Sequence, residues 1–254
     1  MRYTLIIALF TFTSCYSQVN KTLVDNWHSY AVPTNRDSLK KYSWSQNDWA
    51  VFIKDGNVNA KKQNRHIGAD TLPFKIDPKV YKDAFCRGKI SVIRVDDGYL
   101  AGNYRGEWGG DLYWFSDNGK KYYKISDDEV VQFIKRDNQI YAIQGLAHLG
   151  MSEGSIIKIE KSNNKWIAIE YLKLPTAPEA IALDKDKNFI IITSKSLLKI
   201  GSLSHAKFLI EKGMWYYLYP TSMVIKDNIV YSGMRAGIFR YNLATGEQKW
   251  LMDN

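Results

Sequence analysis

A repeat of 40 to 50 residues constrains the fold more than any other feature of this sequence. Five stretches share one pattern, in which a polar turn rich in Asp, Asn or Gly is followed by an apolar, β-rich run. They span 45–56, 95–106, 135–146, 184–195 and 225–236. Their anchor residues, spaced 50, 40, 50 and 40 residues apart, are Asp48, Gly98, Asn138, Asn188 and Asn228. A regular period of this length indicates that one supersecondary unit is repeated along the chain.

Short strand-like runs flank these stretches on both sides. A strand is predicted before each turn, at 40–44, 90–95, 130–135, 180–184 and 222–226. Two further strands follow most units, joined by Asn, Asp and Gly residues that suit hairpin turns, although the first unit shows them least clearly. Four antiparallel strands in each repeat predict an all-β protein, a β-propeller of four-stranded antiparallel blades.

The number of units predicts five blades within a single domain over residues 38–254. Residues 18–37 are expected to form either a leader or a strand that closes the ring. A degenerate sixth blade around 58–90 is the alternative to five. The stretch DPKVYKDAF at 77–85 predicts one short helix between the first two units.

The sequence YNLATGEQKW at 241–250 resembles the strand–turn–strand motif of quinoprotein-type β-propellers. In that motif an Asp or Asn, an Ala, any residue and Thr-Gly are followed by a Trp that docks between blades. Asn242, Thr245, Gly246 and Trp250 match, and Leu243 stands where the family has its Ala. The resemblance covers one blade. It implies the fold and does not imply a quinone cofactor.

The first residues have the pattern of an export signal. Arg2 precedes the apolar run LIIALFTFT at 5–13, and small residues follow it. We therefore expect residues 1–17 to be a signal peptide, cleaved after Ser17. The apolar run is too short to cross a bilayer as a permanent helix.

The two cysteines offer an alternative for the N-terminus and a prediction for the core. FTSC, which ends at Cys15, resembles a bacterial lipobox, so a lipid on Cys15 is the alternative to a free secreted protein. Either way the protein is expected in the periplasm, at the cell surface or in the medium, with membrane contact only through that lipid. Cys86 then has no partner, and we expect it to be a buried, inert thiol.

The net charge of +9 comes from lysines scattered along the chain, which form no stripe. A positive field can favour anionic partners, but this distribution does not predict nucleic-acid binding. We expect a monomer.

Propeller geometry brings the turns between second and third strands together on one face of the ring. Two of these connections are predicted to be long, at 104–110 and 145–154, and a third lies at 233–237. Charged and aromatic side chains from these turns are expected to converge at the channel mouth as ligand-binding residues. They are Arg105, Glu107, Trp108, His148, Glu153 and Arg235. The alternative interpretation is that Arg105 and Arg235 pair with Glu107 and Glu153 in a network between blades.

Three classes of function follow from this surface. The first is a non-enzymatic module that binds a protein, a small molecule or a glycan. The second is a hydrolase of glycans or esters that uses Glu107, His148 and Glu153 as acid and base groups. The third is an inhibitor or immunity-type protein that caps a secreted toxin or enzyme. No cofactor is predicted, and no metal, because the four histidines lack metal-ligand spacing.

Overall fold

Twenty strands form five separate antiparallel sheets in the described part of the chain, residues 21–63, 70–201 and 205–253 of a computed structural model. The expected signal peptide, its cleavage site after Ser17 and the alternative lipid site at Cys15 lie outside the described residues. Each sheet is one blade, numbered in chain order.

Blade 1 contains β1 (Lys21–Leu23), β3 (Asp48–Lys54) and β4 (Asn57–Gln63). Blade 2 contains β5 (Lys89–Val95), β6 (Gly98–Tyr104), β7 (Gly110–Ser116) and β8 (Tyr122–Ser126). Blade 3 contains β9 (Val130–Arg136), β10 (Gln139–His148), β11 (Met151–Ser162) and β12 (Lys165–Leu174). Blade 4 contains β13 (Pro178–Leu183), β14 (Phe189–Thr193), β15 (Leu197–Ile200) and β16 (Ala206–Ile210). Blade 5 contains β17 (Ser222–Lys226), β18 (Ile229–Met234), β19 (Gly237–Asn242), β20 (Gln248–Met252) and β2 (His28–Tyr30).

Helical turns connect some of these strands. The α-helix α1 spans Arg36–Ser43, and α2 (Pro78–Val80) continues into a π-helical turn, Tyr81–Phe85. Short 3-10 turns lie at Val24–Asn26 and Gly106–Trp108. No helix in the described ranges is long and apolar enough to cross a membrane.

Apolar residues on both faces of the sheets hold the blades together. Successive side chains of a strand point to opposite faces. In β11, Ile157 therefore packs in the cluster between blades 2 and 3, while its neighbour Ile156 packs between blades 3 and 4. Their partners across the ladder, Ala142 and Ile143, divide in the same way. The middle strands of a blade are buried on both faces, which explains the nearly continuous apolar runs in the sequence.

The innermost strands of blades 1 to 5 are β3, β5, β9, β13 and β17. Around the ring β9 packs against β5, β13 against β9, β17 against β13, and β3 against β17. Gln132 of β9 links blades 3 and 4, because its amide accepts a hydrogen bond from the Ile181 N–H and donates one to the Ile181 carbonyl. This arrangement confirms the predicted all-β propeller of antiparallel blades.

The local motif in blade 5 folds as the resemblance implies. The Asn242 side chain accepts hydrogen bonds from the backbone N–H groups of Ala244 and Thr245, and Gly246 has φ 77° at the turn. Trp250 is fully buried in the apolar cluster between blades 4 and 5.

Residues 21–30 link blades 1 and 5 by adding a strand to the outer edge of each. β1 pairs with β4 at the outer edge of blade 1, and β2 pairs with β20 at the outer edge of blade 5. Residues 57–63 belong to blade 1, and the helical segment 78–85 packs on blade 2 through Phe85. Within the described ranges there is accordingly no sixth sheet.

Three local predictions were wrong. Residues 40–44 are not a strand: 40–43 belong to α1 and Trp44 is its C-cap, and at the start of the helix the Asn35 side chain accepts the Asp37 N–H at 2.7 Å. The stretch 145–154 is not a long loop. Strands β10 and β11 extend into it and leave a two-residue turn at Leu149 and Gly150, with φ of 46° and 89°. Cys86 is exposed, since it lies in the connection after the helical turn, where its Sγ donates to the Lys82 carbonyl.

Candidate functional site

A cavity of about 270 Å³ lies at the centre of the ring, where the inner strands of all five blades meet. Blades 1 and 5 contribute Val51, Gln63, Thr221, Ser222 and Met223, and blades 2, 3 and 4 contribute Lys89, Ile90, Ser91, Tyr104, Val131, Gln132 and Glu179. Asp70, from the connection between blades 1 and 2, completes the lining. Such convergence of polar groups in a concave, partly apolar site is typical of ligand binding.

The strand ends that line this cavity belong to one face of the ring. Lys89 and Ser222 begin inner strands, Glu179 is the second residue of another, and Gln63 and Tyr104 end second strands. The turns between second and third strands leave from the same face, which we call the upper face. The cavity and the connections that carry the predicted site residues therefore share one face of the ring, although reasoning from sequence does not identify the lining residues.

Glu179 dominates the electrostatics of the cavity. Protein surrounds its carboxyl group within the channel, and this loss of hydration raises the pKa of Glu179 to about 7, against a smaller opposing effect of Lys89. The two charges form no ion pair, either with each other or with another group in the described part of the chain. Lys89 itself is exposed at the first position of β5. A cation and a titrating carboxyl therefore share one cavity without neutralising each other.

Tyr104 lies close to this carboxyl. Burial raises the pKa of its phenol, and the charges of Glu179 and Glu129 raise it further. Burial also raises the pKa of Glu129, against the opposing charge of Arg105. The Tyr104 hydroxyl has no hydrogen-bond partner among the described residues, so it is free to bond to a ligand.

Some polar groups of the lining already have hydrogen-bond partners within the protein, and others have none among the described residues. The amide of Gln132 is used by Ile181, and the Asp70 carboxylate accepts from the Val92 N–H at 2.9 Å. The Ser222 hydroxyl accepts from the Val51 N–H. By contrast, the buried Oε1 atom of Gln63 has no hydrogen-bond partner among the described residues. A buried acceptor without a partner costs about 1–3 kcal/mol, so it favours a ligand that donates a hydrogen bond.

Two of the predicted site residues lie together on the upper face. Nε2 of His148, at the end of β10, is 2.9 Å from Oε2 of Glu107 in the β6–β7 connection. Trp108, next to Glu107, is 74% exposed. The end of β10 and the β6–β7 connection therefore approach each other, but these side chains face solvent.

The two predicted arginines are held by aspartates. The Arg105 guanidinium pairs with Asp111 and donates to the Ala84 carbonyl at 2.9 Å. Arg235 pairs with Asp48 of blade 1 at 3.4 Å and donates to the Ser43 carbonyl. The alternative prediction of a network with Glu107 and Glu153 was therefore wrong about the partners, because these aspartates are buried and the glutamates are exposed.

Glu153 lies opposite Leu146 in the β10–β11 ladder and is exposed. It forms no ion pair within the described ranges. None of the six predicted residues lines the central cavity, so their role in ligand binding stays a prediction.

Two structural requirements explain the glycines near Arg105: a backbone conformation with positive φ and a close approach to blade 3. Gly109 has φ 78°, a conformation that side chains other than Gly rarely adopt. A Cβ at Gly110 would lie 2.4 Å from the Cα of Glu129. The close approach brings the connection of blade 2 against the first residues of blade 3.

The residues that reasoning from sequence missed are Gln63, Lys89, Tyr104 and Glu179. One signal was available for two of them. Inner strands line the channel of a propeller, and the predicted first strands of blades 2 and 4 begin beside Lys89 and Glu179. A charged residue at the start of an otherwise apolar inner strand is therefore a candidate channel group.

No protein-family model matches the chain, and no curated protein matches it by sequence. Solved structures of similar fold include virginiamycin B lyase from Staphylococcus aureus (13% identity, TM-score 0.45, 65% of this chain and 56% of that one). They also include the extracellular domain of a putative hybrid two component system from B. thetaiotaomicron (14% identity, TM-score 0.48, 82% and 26%). A third is PorZ, a surface component of the type-IX secretion system of Porphyromonas gingivalis (8% identity, TM-score 0.43, 80% and 31%). The chain thus spans little more than half the length of the lyase and about a third or less of the other two.

The five sheets arranged around a central channel define the class of protein. The chain is a β-propeller, and its candidate functional site is the cavity at the upper end of the channel.

Proposed function

We propose that the protein is an exported, non-enzymatic β-propeller that binds a small polar ligand in the central cavity. The observation that carries this proposal is the convergence of Lys89, Tyr104, Glu179 and the unpaired Oε1 of Gln63 on one cavity. Lys89 and Tyr104 are paired within blade 2, whereas Gln63 belongs to blade 1 and Glu179 to blade 4, so the arrangement of three blades around the channel assembles the group. Exposed side chains of the upper face, such as Trp108, surround the entrance to the cavity.

The hydrolase alternative has less support from the geometry. Glu107 and His148 are within hydrogen-bonding distance, but their side chains are 48% and 34% exposed. An acid–base pair needs a substrate held within reach, and the pair is not part of the cavity lining. The cavity therefore supports binding better than the pair supports catalysis.

Blocking the cavity tests the binding function. We expect at least one compound in a panel of monosaccharides, amino acids, small carboxylates and amines to raise the melting temperature, because a ligand stabilises the folded state that binds it. The variant Lys89→Trp, which places an indole at the entrance, should abolish that shift. Lys121→Met, at an exposed position in the connection before β8, is the control and should preserve it. A panel without hits, or a hit that survives Lys89→Trp, would contradict the proposal.

Export is proposed from the sequence of the first 18 residues and has its own test. In a bacterial host we expect the protein in a secreted, periplasmic or membrane-tethered fraction, with residues 1–17 removed or a lipid on Cys15. Intact-mass spectrometry of the fractionated protein distinguishes the two forms. A cytoplasmic protein that retains Arg2 and the apolar run would contradict export.

A further inference from the structure

We infer that the cavity binds a small zwitterion that carries a protonated amine and a carboxylate, as a free amino acid does. This inference rests on the proposed function, since it names the ligand class of the same cavity. It is carried by the placement of Glu179, Lys89, Gln63 and Tyr104 around one small space.

Three charged side chains line the cavity, and the carboxylate of Asp70 already accepts the Val92 N–H. Lys89 and Glu179, which have no hydrogen-bond partner of this kind among the described residues, call for two charges on the ligand. Lys89, at the exposed entrance, and Glu179, surrounded by protein, face the same cavity without an ion pair among the described residues. A buried carboxyl group that ionises is ordinarily paired. A zwitterion supplies both partners at once: its ammonium group pairs with Glu179 and its carboxylate with Lys89. A ligand with one charge would leave the other group unpaired.

The other polar groups of the lining, on Gln63 and Tyr104, favour binding of the ligand's ammonium group. Oε1 of Gln63 is a buried acceptor without a partner, and an ammonium group is a donor in all three of its N–H bonds. Glu179 accepts the first of these hydrogen bonds, and Gln63 is placed in the lining to accept a second. The Tyr104 hydroxyl can accept the third or donate to the carboxylate.

The size of the cavity limits the ligand. Sites for drug-sized ligands enclose about 300–1,000 Å³, and this cavity encloses about 270 Å³. The lining also includes the apolar side chains of Val51, Ile90, Val131 and Met223. A molecule with a few heavy atoms, both charges and a short side chain fits these limits better than an oligosaccharide or a peptide.

Ligand affinity should depend on pH, because Glu179 must be ionised to pair with the ammonium group. The titratable and charged groups that face it are Lys89 on β5, Tyr104 on β6, Asp70 in the cavity lining and Glu129 beyond Tyr104. With its pKa at about 7, the ionised fraction rises from about one tenth at pH 6 to about nine tenths at pH 8. The apparent dissociation constant should fall about tenfold over that range.

The first experiment screens the twenty common amino acids by thermal shift and measures each hit by calorimetry. For the best hit, the matching compounds without the amine or without the carboxylate should bind at least about tenfold more weakly. Glu179→Gln should weaken binding roughly thirtyfold or more, as for the loss of one partner of a desolvated charge pair, and should remove the pH dependence. Lys89→Met should weaken binding of the zwitterion and leave binding of the amine-only compound unchanged.

Glu170→Gln, an exposed carboxylate on β12, is the matched control and should bind like the original protein. The melting temperature of Glu179→Gln without ligand shows whether that variant is folded. If no amino acid binds but a monosaccharide or a carboxylate binds and is lost in Lys89→Trp, the zwitterion inference is wrong and the binding function stands. If a hit binds equally to Glu179→Gln, the inference is wrong as well.

Discussion

Replacement of Trp215 with alanine is expected to lower the free energy of unfolding by about 3–5 kcal/mol, the range for removing a large buried aromatic side chain. Trp215 is fully buried in the cluster between blades 4 and 5, and its ring lies 5.1 Å from that of Phe239. Its Nε1 also donates to the Thr193 carbonyl at 2.8 Å. The substitution therefore leaves both a cavity and a buried acceptor without its partner.

Urea denaturation measures this effect as a shift of the midpoint at unchanged slope. Trp215→Phe should be intermediate, because it keeps most of the ring and loses the hydrogen bond to Thr193. Trp44→Ala is the control, since Trp44 is 74% exposed and its loss should change stability by no more than about 0.5 kcal/mol. If Trp215→Ala and Trp44→Ala had equal effects, Trp215 would not hold the two blades together.

The repeat in the sequence predicted the blades because each blade forms from local hairpins. Asn, Asp and Gly turns set the strand order within a blade, and apolar runs mark the faces that must be buried. The resemblance to quinoprotein-type β-propellers implied the position of Trp250 between blades, where the structure places it. Residues 40–44 were wrongly predicted to be the first strand of blade 1, because β3 takes the innermost position of that sheet. The third strand, β1, comes from the other side of α1. Pairing between distant segments leaves no local signal.

The candidate site was harder to predict, since it depends on how the blades meet. The sequence identified Glu107 and His148, which lie in neighbouring connections and do approach each other. It did not show that Arg105 pairs with Asp111 of the facing strand β7, because the sequence does not tell which of several nearby carboxylates the guanidinium reaches. The cavity residues Gln63 and Glu179 are 116 positions apart in the chain, and only closure of the ring places both in one lining.

Arg105 provides the second large effect, and it separates a structural role from a role in ligand binding. Arg105→Met should lower the free energy of unfolding by about 3–5 kcal/mol, because removing one partner of a buried ion pair leaves the other charge uncompensated. The Asp111 side chain is 7% exposed and that of Arg105 is 19% exposed. Lys124 also pairs with Asp111 and compensates part of its charge, which places the expected value near the lower end of this range.

Arg94→Met is the matched control for this substitution. Arg94 pairs with Asp117 at 2.6 Å, but both side chains are at least half exposed, at 50% and 65%, and such pairs contribute about 0–1 kcal/mol. Arg105→Lys should be intermediate, because lysine keeps the charge and loses the planar guanidinium, whose Nη1 donates to Asp111 and the Ala84 carbonyl while its Nε donates to the Trp108 carbonyl. An Arg105→Met variant as stable as Arg94→Met would show that the ion pair does not hold the connection of blade 2 in place. The guanidinium would then be available to a ligand at the upper face, as the sequence alone predicts.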